Sequence, residues 1–189
     1  DILRDFKAEE GAEAKTESPT AGPAGVVSDE VILALMHAGV IRVAQVYEAS
    51  RHRRPGEPLW RAMLDVDEVD RGSLLAEVAR QSDYTVFESD PELPVRNLVE
   101  NMRETLPTDA INGILLAGGI PVEIGIDAET LQYRLVLATD DPASDEIARA
   151  SSGLPVDVDI RYMPTADVDR HLDEVYPDRP ARTKRTPHE

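Results

Sequence analysis

Residues 156–161 read Val156-Asp157-Val158-Asp159-Ile160-Arg161. Apolar and charged residues alternate with period two, the pattern of a strand with one face buried and the other in water. Asp157 and Asp159 share a face, and the outward side of an edge strand accounts for them better than a catalytic carboxylate pair. Upstream, Asp141-Pro142 is expected to open a helix by the cap-then-proline rule, carrying Ile147 and closed by Gly153. Further upstream lies a hairpin. Val122, Ile124 and Ile126 alternate with Glu123, Gly125 and Asp127, residues 127–130 turn, and 133–138 return. Downstream, Thr165 is expected to cap a helix with Val168, Leu172, Val175 and Tyr176 inward. The order strand, strand, helix, strand, helix predicts a compact α/β subdomain over 91–177. Its helices lie on one face of a mostly antiparallel or mixed sheet of three or four strands.

Before the hairpin the period is helical. Residues 94–106 place Val95, Leu98, Val99 and Met102 on one face, and 108–116 form another short helix ended by Gly118-Gly119. Residues 84–87 read as a short strand. Residues 28–90 predict a small bundle of four short helices. Ser28 is expected to cap the first, which buries Val31, Ile32, Leu35 and Met36 and stops at Gly39. The second spans about 43–51, with Val43, Val46 and Tyr47 inward. The third passes through Leu59, Trp60 and Met63. The fourth starts on an Asp70 cap and runs through Leu74, Leu75, Val78 and Ala79 to about Gln81. The fold class is therefore α+β. Residues 1–27 and 178–189 are expected to be disordered tails or linkers, since they hold too little apolar surface to offset ordering entropy.

Composition narrows the chemistry. The chain has 189 residues, 37 acidic against 20 basic, and a net charge of -17. Such charge repels a phosphate backbone, so nucleic acid is not an expected partner. There is no cysteine, which excludes thiolate metal sites and cysteine nucleophiles. No apolar run reaches the ~20 residues of a membrane span. Membrane insertion is not expected, and a cytoplasmic location is. Only Lys7, Lys15 and Lys184 are lysines. Both a high-salt habitat and a GC-rich genome produce that bias.

Motifs for catalysis are missing. The acidic run 65–72 lacks ligands at the required loop positions in both possible registers, so it reads as a helix-capping turn rather than a calcium loop. Leu116-Ala-Gly-Gly119 is followed by a strand bearing Glu123 and reads as a turn, not a phosphate cradle. No P-loop, nucleophile elbow or zinc-protease signature occurs. His37, His52, His171 and His188 are scattered. No catalytic residue, metal site or cofactor is expected, and the chain is not expected to be an enzyme. The one conspicuous cluster is Arg51-His-Arg53-Arg54-Pro-Gly56-Glu-Pro-Leu59. Arginine forks bind phosphate bidentately, and Gly56 admits close approach to the backbone. A basic inter-helix loop balancing nearby acids is the plainer reading of the same residues.

Leu135-Val-Leu-Ala-Thr-Asp-Asp-Pro142, Asp145-Glu-Ile147, Ser152-Gly-Leu154, Val156-Asp-Val158 and Asp173-Glu-Val-Tyr176 together follow a strand, Asp-Pro turn, helix, Gly, strand and terminal helix. In this the chain resembles the amino-terminal domain of type II secretion and type IV pilus assembly ATPases, the GspE N-terminal and MshEN-like family, over about 28–177. That family's first half carries two copies of Arg-Leu-Gly, two residues, Leu, then Gly, a capped helix and a final Gln. Here Arg54-Pro-Gly56-Glu-Pro-Leu59 with Asp70, Leu74, Leu75 and Gln81 matches the second copy, with about four extra residues between Leu59 and Asp70. Leu35, Gly39, Val46 and Ala49 keep the frame of the first. Glu30 and Ile32 stand at its Arg and Gly positions, and Arg42 at its capping position.

The resemblance implies a non-catalytic regulatory or docking module with a protein partner, either a secretion or pilus platform protein or another domain of the same chain. It also implies an alternative, a cyclic-di-GMP sensor with a degenerate motif, whose ligand residues would be Arg53, Arg54, Gly56, Leu59 and Gln81. Cyclic-di-GMP would then be a ligand and not a cofactor. Because the chain begins with Asp1 and ends soon after Tyr176, it is expected to stand alone or to close a longer protein.

Overall fold

The computed structural model describes residues 27–90, 92–126 and 133–178. Four helices come first: α1 (Val27–His37), α2 (Val43–His52), α3 (Leu59–Met63) and α4 (Arg71–Gln81). Val31, Ile32 and Leu35 of α1 are buried with Ile41, Ala49, Trp60, Met63, Leu74, Leu75 and Val78 in one apolar cluster. Gly39 ends α1 in the left-handed region at φ 70°. There the Val40 amide donates to the Leu35 carbonyl at 2.9 Å and the Gly39 amide to Met36 at 3.1 Å, satisfying the last carbonyls of the helix. Asp70 accepts from the Ser73 amide at 2.7 Å, so the acidic run 65–70 is a capping turn. The helix α1 begins one residue ahead of the expected Ser28 cap, and the Ser28 side chain lies outside the described ones.

One helical face is reversed. Residues Val43 and Tyr47 of α2, expected inward, are each 68% exposed, and Val46 is half-buried. The buried residues of α2 are Gln45 and Ala49. Gln45 is held by polar bonds: its Oε1 accepts from the Arg42 amide at 2.8 Å and its amide donates to the Asp67 carbonyl at 3.3 Å. Ala49 is small enough to bring α2 close to α3. Satisfied hydrogen bonds and close approach thus outweigh the larger apolar pair in setting the helix rotation.

The second half holds α5 (Val95–Thr105), α6 (Thr108–Leu116), β1 (Ile120–Ile126), β2 (Tyr133–Thr139), α7 (Asp145–Ser151), β3 (Asp157–Tyr162) and α8 (Thr165–Val175). The sheet runs β1-β2-β3, antiparallel between β1 and β2 and parallel between β2 and β3. It is therefore mixed, and the molecule is α+β with a helical part followed by a small sheet. Leu135 and Leu137 sit in a core with Val99, Met102, Ile114, Ile147, Met163, Val168 and Leu172. The register slips between Pro121 and Glu123, where proline has no N–H for the ladder.

Four local expectations are corrected. Residues 84–87 are not a strand. Val86 makes a single parallel bridge to Tyr162, with the Phe87 amide donating to the Tyr162 carbonyl at 2.8 Å. The chain then turns on Asp90, whose carboxylate accepts from the Glu92 amide at 2.8 Å. The helix α7 starts at Asp145 behind a Ser144 cap, because Asp141 is drawn into an ion pair described below. Thr165 is the first residue of α8, behind Pro164, and not its cap. Finally, β1 does not keep its alternation: Ile124 and Ile126 are exposed, as is Tyr133 opposite Ile126, because the hairpin runs past the edge of the core. Residues 127–130 of its turn, and both tails except Val27 and Asp178, lie outside the described residues.

Candidate functional site

The loop from α2 to α3 is built around one tight turn. The Glu57 amide donates to the Arg54 carbonyl at 3.1 Å, and Gly56 between them takes φ 81°, a value that a turn with proline second and glycine third requires. Glu57 closes it twice. Its Oε2 accepts from the Arg54 amide at 3.0 Å, and its carbonyl accepts from Arg53 Nε. Arg51, His52, Arg53 and Arg54 are all exposed. A Cβ built on Gly56 would meet nothing within 4 Å, so the space above the turn is open.

Of the residues the sequence singles out, Arg53, Arg54, Gly56 and Leu59 share this loop and the start of α3. Leu59 packs half-buried against the helical core. Gln81 is the last residue of α4, where its amide donates to Glu77 at 3.0 Å. Glu77 is also gripped by Arg80, and the Arg80 hydrogen bond holds its carboxyl below the ordinary value. In the first half-motif Glu30 is exposed and Ile32 is buried. The exposed acid is repulsive to phosphate, and the buried side chain belongs to the core.

Sequence reasoning missed the polar seam between the two halves. Arg61 of α3 places both terminal nitrogens 2.9 Å from the Asp141 carboxylate and donates to the Ala143 carbonyl at 3.0 Å. Its guanidinium carbon lies 4.6 Å from the centre of the Trp60 ring, close enough for cation–π attraction. Beside it Arg71 of α4 donates from Nε to Asp140 at 3.0 Å. Asp140 and Asp141 are buried in the turn after β2. Burial, with the nearby acid as the second cause, raises the phenols of Tyr84 and Tyr162 above their ordinary value. The partners are 80 and 69 residues apart in sequence, and no local spacing announces them.

Asp159 is also explained by pairing. Arg134 and Arg161 both reach it at 2.8 Å, which makes it a structural bridge across β2 and β3. His171 is buried on α8, with Nε2 3.2 Å from the Ser89 hydroxyl. Its pKa is pushed below the ordinary value by burial and then by Arg170. Among the described residues, no group of three or more His, Cys, Asp or Glu could hold a metal, and no helix is long and apolar enough to cross a membrane.

No protein-family model matches the chain, and no curated protein does. Among solved structures it is similar to one described as "Structure of MshE with cdg", at 17% identity and a TM-score of 0.41, covering 77% of this chain and 98% of that one.

Proposed function

We propose that the chain is a non-catalytic regulatory module that docks a protein partner through its helical half. The observation that carries this reading is the reversed α2: the bundle's core is complete without Val43 and Tyr47, which stand two-thirds exposed. Standing one helical turn apart, the two side chains make a contiguous apolar face rather than scattered exposed residues, and contiguous apolar surface is what an interaction site presents. The motif resemblance to secretion and pilus ATPase amino-terminal domains supports the same role, with the cytoplasmic region of a platform-type protein, or a neighbouring domain, as partner. Co-expression with such a region from the same organism, followed by size-exclusion chromatography, tests it. A stable complex that Tyr47→Ala leaves intact would move the docking site elsewhere, and failure to form any complex would overturn the platform assignment.

A second reading, a cyclic-di-GMP sensor, draws support from the open Arg54-Gly56 turn. The bond that engages Gln81 with Glu77 and the acid at Glu30 count against it. Titration calorimetry decides. Absence of heat at ~100 µM dinucleotide, where a micromolar site saturates, ends the sensor reading; if heat appears, Arg54→Ala is expected to abolish it.

A further inference from the structure

The solvent apex of α2 has a defined order of side chains. Val43, Tyr47 and Arg51 follow one another at four-residue intervals, so they line one ridge of the helix over ~12 Å. They stand opposite the buried Gln45 and Ala49. Past the end of the helix the chain runs directly into the exposed Arg53 and Arg54. The ridge is therefore apolar at its start, aromatic in its middle and basic at Arg51, next in sequence to the basic loop.

The charge at that end is clustered. Arg42, Arg61, Arg71, Arg80, Arg134, Arg161 and Arg170 are each committed to a carboxylate. Among the described residues, no ion pair takes up Arg51, Arg53 or Arg54, although the net charge is -17. Arg96, Arg103 and Arg149 are exposed and also outside these ion pairs, but they are spread over α5 and α7. Among the described residues, three arginines within four residues make this loop the densest positive charge an acidic partner meets. Tyr and Arg are also the side chains that contribute most at interface centres.

Resting on the docking reading above, we infer that this ridge receives an acidic amphipathic helix of another protein. The helix presents aliphatic side chains to Val43 and Tyr47 and carboxylates to Arg51, Arg53 and Arg54. A second copy of this chain and an anionic membrane are the competing occupants.

The test uses the whole chain labelled with nitrogen-15 and a synthetic amphipathic peptide of ~18 residues with a leucine face and glutamate flanks. A lysine-flanked peptide of the same leucine face is the control. Expected are chemical-shift changes centred on 43–54, binding at least tenfold weaker for the lysine peptide, and at least tenfold loss on Tyr47→Ala or on Arg51→Glu with Arg54→Glu. Salt should weaken the acidic complex. Equal affinity for both peptides, or no binding of either, overturns the acidic-partner inference and leaves the platform co-expression result standing by itself. Shifts centred away from α2 overturn the choice of face. Two controls address the competitors: a Tyr47-dependent dimer in sedimentation, or Tyr47-dependent binding to phosphatidylglycerol vesicles without peptide binding, assigns the ridge to that occupant instead.

Discussion

Arg61 and Asp141 meet through two parallel hydrogen bonds of 2.9 Å, joining α3 of the helical half to the turn after β2 in the α/β half. The two side chains are only 17% and 9% exposed. A fork-to-carboxylate pair with so little water around it is not easily screened, and removing one partner leaves the other charge buried without compensation. Asp141→Ala is expected to destabilise the fold by about 3 kcal/mol, read as a lowered urea midpoint. A loss under about 1 kcal/mol would mean the pair behaves as a surface bridge.

Gly119 and Gly125 predict opposite responses to alanine. A Cβ at Gly119 would lie 2.8 Å from Ile114 Cγ2 and 3.3 Å from its carbonyl oxygen, in the packed corner between α6 and β1. Gly119→Ala is expected to cost about 1–3 kcal/mol through overpacking. Gly125 has open space around it and an ordinary strand backbone. Gly125→Ala is expected to be neutral or to stabilise by up to ~1 kcal/mol, because it removes freedom from the unfolded chain. Paired thermal melts check both signs.

The buried His171 gives the stability a pH slope at mildly acid values. Its folded pKa is depressed below the ordinary 6.5, by burial first and Arg170 second, against weaker opposing pulls from Glu174 and Asp167. Below about pH 6.5 the unfolded chain therefore binds a proton that the folded one resists. Stability is full above that value and falls as the pH drops. Melting temperature is expected to decline between pH 7 and pH 5, and His171→Gln is expected to flatten that decline. An unchanged slope in the variant would assign it to other groups.

Asp70 acts in a lower window. Hydrogen bonds from the Ser73 hydroxyl and amide hold its carboxyl below the ordinary 3.8, so its contribution is present above that value and lost as the pH falls through the folded one. Asp70→Ala is expected to cost about 1 kcal/mol at pH 7 as a lost helix cap. The gap between variant and parent should narrow by pH 3, as measured by urea denaturation at both values.

Much of this architecture is local and was legible in the sequence. The Val156–Arg161 alternation, the Gly39 and Gly118 helix stops and the Asp70 cap each follow from residues within a few positions of one another, so backbone sterics and short hydrogen bonds suffice to read them. The turn at Arg54-Pro-Gly56-Glu57 belongs to the same class. What the tertiary structure alone decided is how these pieces are rotated and joined. Val43 and Tyr47 form as good an inward stripe on paper as any in the chain. They face water because Gln45 finds partners in Arg42 and Asp67 and because Ala49 lets α3 approach. Asp141 looks like a helix cap until Arg61, eighty positions away, claims it. Local residue order specifies most of the helices and strands and the basic loop, though not the bridge at Val86 or the start of α7. The docking ridge and the seam between the halves depend on long-range hydrogen bonding and packing, which no local period encodes.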